Sequence, residues 1–584
     1  MRSILALALA AAVLAPAATA AQAPALVLPA AGTTSARLGR LETQYIADRF
    51  RDQPTSATQS GFHAYDDRLP DMSAAAYAAR LQAAHAMLAS LAEIERSEKL
   101  NAEDAADAVI MRSALESTVL AEREGRWRHN PAQYTGVVSG AVYGLFSRDF
   151  APLETRMRSA IARERAIPAL LAQGKANITT VDAVTAELAK RNIAGSVAFF
   201  EKTVPQAFAA VADASLQAQL KASNDAAIAA LRDFQEAMNA GPLAHPSGTY
   251  AIGAETYAQR LALQEGAPIS LATYEAVGQK ALDETKAAFV ATAKQIDPSR
   301  SAADVYTSLG RSHPAPDALI PTAQDELNTL KAFVLKHDLV TLAPEWNVKV
   351  LETPVFDRET SLASMSTPGA FEKVATQAYY YVTPVDPAWT AAQREGHLSF
   401  YNDYAFPIIS AHEVMPGHYE NFVWHKFTKL SLVRALSGNP SYSEGWAHYD
   451  EQMMVDEGWG AGDPKVRLAQ LSLALQREAR YLVGLREHTQ GMTVDEGTKF
   501  FVDNAFMPEI VGRREALRGT QDPLYGYYTL GKLEILKLRD DYKKLKGPAY
   551  TLKGFHDAFL AHGNPPIAVV RKLLLGSADD GKLL

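Results

Sequence analysis

Apolar residues recur at alternating three- and four-residue intervals along most of the chain, and that period commits it to helices. Tyr77, Leu81, Ala84, Leu88 and Leu91 follow Ser73 in this rhythm, and Ala227, Leu231, Phe234 and Met238 repeat it. Ser73 predicts a capped helix start, and both stripes predict core-facing surfaces. Strand signals are few. Asn347 to Val350 alternates, and Ala378 to Val382 is β-prone and closed by Pro384 and Pro387. The fold class that follows is mainly α with a small β-sheet. The stretch from Gly241-Pro242 to Gly253 interrupts the helical period and is the best internal boundary. It divides the chain into an N-terminal helical region, 21–245, and a region 246–584 that carries the chemistry, the two forming one intertwined fold.

A chain of 584 residues that is 48% apolar and 21% charged is globular, not disordered. Lys and Arg number 58 against 66 Asp and Glu, a net charge of −8, which argues against a nucleic-acid or anionic-membrane binder. Cysteine is absent. Disulfides, thiol nucleophiles and thiolate metal sites are thereby excluded, and any metal must rest on His, Asp or Glu. Met1-Arg2, the apolar run Ile4 to Leu14 and the small residues Ala18-Thr19-Ala20 predict a signal peptide over 1–20. The mature protein is therefore expected to be exported, periplasmic or secreted. No later uncharged run approaches the roughly 18 residues of a membrane span, so no membrane insertion is expected.

The chemistry concentrates where His412, His418, His425 and His448 fall close together with Glu413, Glu444 and Glu451. The segment Ala411-His412-Glu413-Val414-Met415-Pro416-Gly417-His418 is close to the His-Glu-x-x-His zinc motif, but its histidines stand at i, i+6. Six residues of regular helix rotate about 600°, which leaves the two rings about 120° apart. Pro416 and Gly417 sit where an interruption would bring both imidazoles back onto one metal. A third ligand is expected from the helix that follows. There Glu444, His448 and Glu451 share one face at i, i+4 and i+7, with Trp446, Tyr449 and Met453 on another. Glu444 is the chosen ligand, and Glu451 is placed to orient a ligand imidazole. His448 reads as a substrate-side or packing residue. Two His and one Glu leave a fourth position for water, as in catalytic zinc sites. Glu413 would take that water's proton. One zinc per chain is expected.

With Glu444-Gly445-Trp446-Ala447, this segment resembles the domain-of-unknown-function 885 family of candidate metallopeptidases. The likeness extends through Pro54, Gly61, His63, Trp127, Asn130-Pro131, Tyr134, Gly253 and Tyr257. It continues in Pro354, Tyr381, Pro384, Arg477-x-x-Arg480, His488, Tyr528-x-x-Gly531 and Leu538-Arg539. The family is in turn similar to the helical gluzincin peptidases thimet oligopeptidase, neurolysin and carboxypeptidase Taq. The resemblance implies two helical lobes flanking a deep channel, with His412, His418 and Glu444 as zinc ligands and Glu413 as base. It also singles out Tyr528 among three nearby tyrosines as donor to the oxyanion, the alternative being tyrosines packed at a wet edge. Two places depart from the pattern and bear on substrate preference, not on the metal set. Asp522-Pro523-Leu524-Tyr525 stands where a Pro-Gly-Gln element is usual, and Gly484-Leu485-Arg486 replaces Asp-Thr-Gly.

The expected function is hydrolysis of short or unfolded peptides by a zinc peptidase. Tyr380 and Tyr381 are expected to bind substrate, which would pair with the backbone of the Tyr379 to Val382 strand. Arg539 and Lys532 are candidates for a peptide carboxylate. The alternatives are a zinc amidohydrolase acting on a non-peptide amide and a zinc- or peptide-binding protein without turnover. Glu413 argues against the last, because a pure binder needs no base.

Overall fold

The computed structural model describes residues 32–343, 346–354, 358 and 361–584, and the expected signal peptide over 1–20 lies outside them. The described residues are mainly helical, with one three-stranded sheet. No described helix is long and apolar enough to cross a membrane. Helix starts follow the local chemistry. Ser73 accepts from the Ala76 amide at the head of helix Ala74–Ser97. Asn439 and Asp463 cap helices Pro440–Asp456 and Pro464–Thr489, each with proline at its first position.

The apolar stripes build separate clusters. Ala227, Leu231, Phe234 and Met238 are all buried in a cluster that runs from Met72 to Leu243. The stripe after Ser73 is rotated from its expected position: Ala84, Met87, Leu91 and Ile94 are buried, whereas Tyr77, Leu81 and Leu88 are half-buried. Tyr77 is drawn off the core face by stacking on Trp127 at 4.3 Å. Between Gly241 and Ile252 the chain is irregular, and a helix restarts at Gly253. A second cluster joins helices Leu271–Ile296 and Pro464–Thr489, and a third gathers the sheet with the helices around Trp446. Leu432 and Val433 insert into small clusters otherwise made by residues near the start of the chain.

The sheet contains β1 (Val348–Glu352), β2 (Ala363–Ser366) and β3 (Ala378–Val382) in the order β1-β3-β2. β1 pairs β3 in parallel with Val348 opposite Ala378, and β2 pairs it antiparallel with Ala363 opposite Val382. The sequence reading missed β2, whose Ala363-Ser364-Met365-Ser366 lacks β-branched and aromatic residues. That strand corrects the expected backbone pairing with substrate. Both edges of β3 are taken, so Tyr379 to Val382 has no free ladder to offer an extended peptide.

Helices Pro440–Asp456 and Tyr527–Lys546 cross at backbone contact through two glycines. A Cβ at Gly445 would stand 2.5 Å from Gly531 Cα, and one at Gly531 would overlap the Ser441 carbonyl. This crossing places Glu444 and Tyr528, each beside or near its glycine, on adjoining helices. Gly531→Ala is expected to lower stability by about 1–3 kcal/mol through overpacking. Gly136→Ala, where a Cβ meets nothing within 4 Å, should be neutral or stabilising. Thermal unfolding of the two variants checks this, and equal midpoints would contradict the close crossing.

Candidate metal centre

Helix Phe406–Glu413 ends one residue after His412, and helix His418–Phe427 begins at His418. The residues between include a cis Met415–Pro416 bond. At Gly417 the chain folds back onto the first helix, its amide donating to Ala411 O at 3.0 Å. A Cβ at Gly417 would overlap the His412 carbonyl, so the return requires glycine. Trp446, fully buried, donates its indole N–H to Pro416 O at 2.9 Å and ties this break to the Glu444 helix.

The break brings the two rings together, with centroids 4.8 Å apart and planes at 83°. Glu444 Oε2 lies 3.5 Å from His412 Nε2 and 3.3 Å from His418 Nε2. Donor atoms of the three residues all lie within 4.8 Å of one another. Zinc with bonds of about 2.0–2.1 Å in a tetrahedral shell sets its donors about 3.3 Å apart, which the two separations from Glu444 Oε2 match. Glu444 Oε2 is buried without a hydrogen-bond partner, the condition of an oxygen reserved for a cation.

Glu451 supports the site from behind. Its Oε1 accepts from His412 Nδ1 at 2.7 Å, which fixes the ring with Nε2 toward Glu444. The same oxygen pairs with Arg477 Nη2 at 2.8 Å, and Oε2 contacts His448 Nδ1 at 3.2 Å. Burial disfavours charge on His412, but Glu444 and Glu451 outweigh it and raise the imidazole to about 9. Burial also opposes charge on Glu444, yet His418 and His412 hold its carboxyl well below the usual range. Carboxylates that stabilise a proton this strongly stabilise a divalent cation in the same place. Burial drives His448 down to about 3, so it is a neutral packing residue, fully enclosed.

Glu413 is the last residue of the helix that carries His412 and is half-buried. Tyr528 is buried, with the guanidinium centres of Arg477, Arg480 and Arg518 at 5.6, 5.2 and 5.8 Å from its ring. Burial and then Glu444 raise its phenol above the ordinary value against Arg480 and Arg518, so the hydroxyl keeps its proton and can donate.

Other expected residues fall elsewhere. Tyr380 is fully buried, its hydroxyl 3.1 Å from Ser410 on the His412 helix. It braces that helix and offers no surface to a substrate. Tyr381 points to the opposite, half-buried face of the strand, as the alternation of β3 demands. Arg539 stacks on Tyr449 and donates to its hydroxyl at 3.1 Å. Eleven residues of helix put it about 16 Å along the axis from Tyr528. Lys532 is buried 3.9 Å from Glu478. The cations beside the site are instead Arg477, Arg480 and Arg518. For the first two a signal was present: two arginines three residues apart in the Leu- and Ala-rich stretch Leu468 to Leu485, which also carries Gln470, Ser472, Gln476 and Glu478.

Metal analysis of the purified chain should find about one zinc, removable by chelation and largely lost in His418→Ala, since two remaining donors cannot hold the ion. A metal content unaffected by that substitution would place the ion elsewhere.

The family model described as a bacterial protein of unknown function, DUF885, matches residues 54–574. No curated protein matches the chain. Among solved structures, a candidate lipoprotein of unknown function from Shewanella oneidensis is similar at 27% identity with a TM-score of 0.78, over 93% of this chain and 100% of that one. Another candidate lipoprotein, from Colwellia psychrerythraea, shares the fold with a TM-score of 0.77 at 17% identity, over 94% and 100% of the two chains. With the family's model spanning nearly all of the described chain, this protein belongs to the DUF885 family.

Proposed function

We propose that the chain is an exported zinc-dependent peptidase acting on short or unfolded peptides. The observation that carries this reading is the convergence of His412 Nε2, His418 Nε2 and Glu444 Oε2, with Glu413 adjoining His412 in the chain. Bound by those three donors, zinc supplies Lewis-acid polarisation of water and of a substrate carbonyl. Glu413 removes the proton from the attacking water and delivers it to the departing amine. Tyr528, kept protonated, donates to the oxygen that gains charge as the carbonyl is attacked. Glu451 holds the His412 ring in one orientation, and Arg477 holds Glu451. The amide class of bond fits this division of labour, because its poor leaving group needs the proton that Glu413 returns. A non-catalytic binder would have no use for a carboxylate in that position. Export is supported by the leader-like start of the sequence and by the candidate lipoproteins that share the fold.

Glu413→Gln should retain metal and lose at least about two orders of magnitude in turnover of an unstructured peptide, because an amide cannot accept the water's proton. Tyr528→Phe should lower kcat by about 10²–10³ with metal content unchanged. Steady-state kinetics alongside metal analysis test both, and a Glu413→Gln variant that keeps most of its activity would contradict the mechanism.

A further inference from the structure

Three arginines surround Tyr528, and their charges are not equally spent. Arg477 pairs with Glu451 at 2.8 Å and donates a second nitrogen to Leu473 O at 2.9 Å. Arg480 commits its fork to Glu515, at 2.7 and 2.9 Å. Gln476 takes up Glu515 as well. Arg518 differs. Its Nη2 donates to the hydroxyls of Tyr527 and Tyr528 at 3.3 and 3.2 Å, both neutral phenols. The carboxylate of Asp522 stands 3.8 Å away, beyond hydrogen-bond reach, and already accepts from Tyr527 at 2.9 Å. The Arg518 side chain is also 40% exposed, where those of Arg477 and Arg480 are 11% and 10%. It is the guanidinium of the three that is both open and without a bonded carboxylate.

We infer that Arg518 receives the C-terminal carboxylate of the substrate, which makes this site one that trims peptides from their C-terminal end. The inference rests on the peptidase reading and specifies its substrate. A planar guanidinium with free N–H groups matches a carboxylate in a two-pronged hydrogen bond, and the C-terminus is the one carboxylate every linear peptide carries. The geometry also limits the fragment released. The Tyr528 hydroxyl is 3.2 Å from Arg518 Nη2. With hydrogen bonds of about 2.8 Å on either side, the reacting carbonyl oxygen and the bound carboxylate stand no more than roughly 10 Å apart. Extended chain advances about 3.3–3.6 Å per residue, so the fragment is on the order of one to three residues. Arg480, locked to Glu515, packs against the Tyr528 ring and fixes that side of the pair.

The test uses one N-terminally fluorescein-labelled, unstructured decapeptide made as the free acid and as the C-terminal amide. Binding of each to the zinc-loaded Glu413→Gln protein is followed by anisotropy, and cleavage by the unsubstituted enzyme by mass spectrometry. The acid should bind about 10–100-fold more tightly than the amide. Arg518→Gln in the same background should reduce that ratio to about twofold, and cleavage should remove one to three C-terminal residues. Equal binding of acid and amide would overturn the inference without the need for any Arg518 variant. A preference that survives Arg518→Gln, or cuts spread through the interior of the peptide, would overturn it as well. If neither peptide is hydrolysed, the peptidase reading falls, and the ratio of the two binding constants still decides whether Arg518 anchors a carboxylate.

Discussion

One hydrogen bond holds the site's parts in register: Trp446 Nε1 to Pro416 O, 2.9 Å long and fully buried. It joins the break between His412 and His418 to the helix that supplies Glu444. Three consecutive residues of that helix carry three separate tasks, because side chains leave a helix about 100° apart. Glu444 faces the two imidazoles, Gly445 lets the Tyr528 helix approach to backbone contact, and Trp446 pins the break. Trp446 is itself fixed by packing against Phe559, His556 and Tyr449. A protein holding two histidines at i, i+6 on an unbroken helix would point them apart. Here Pro416 and Gly417 create the break, and the tryptophan gives it a single shape.

Behind His412 the controlling group is Glu451. Its carboxylate touches His412, His448 and Arg477, all in the interior. A buried carboxylate is tolerated only when charge and hydrogen bonds satisfy it. Arg477 supplies the charge, and the two imidazoles take up its oxygens. Burial also disfavours charge on Glu451, yet Arg477 first and His448 next hold it well below the ordinary carboxylate range. His412 therefore meets an ionised partner that holds its Nδ1–H, and a cation bound at Nε2 would take the place of the second ring proton. The same Arg477 lies against the Tyr528 ring, so the support of His412 and the setting of Tyr528 share a wall.

The convergence of His412, His418 and Glu444 was legible because local spacing encodes it. The i, i+6 histidines with Pro416 and Gly417 between them demand a break, and Glu444 and Glu451 at i and i+7 demand a shared helical face. The strand was legible as a strand but misread as a surface. Period-two alternation means that Tyr380 and Tyr381 cannot both face one partner, and β2 then occupied the edge that the expected pairing needed. Arg539 was misplaced because sequence gives its helix face, which it shares with Tyr528, but not its distance along the helix. Arg518 and Glu515 carried no usable signal. Their meaning comes from which arginine Glu515 pairs with, and that is set where helices Pro464–Thr489 and Glu509–Gln521 pack together.

In the proposed site two imidazoles and one carboxylate share a single ion. X-ray absorption at the zinc edge of the purified protein tests it directly. The predicted spectrum has a nitrogen and oxygen first shell at about 2.0–2.1 Å, with outer-shell scattering from two imidazole rings. A spectrum with no imidazole scattering, or with four imidazoles around the ion, would contradict the site described by His412, His418 and Glu444.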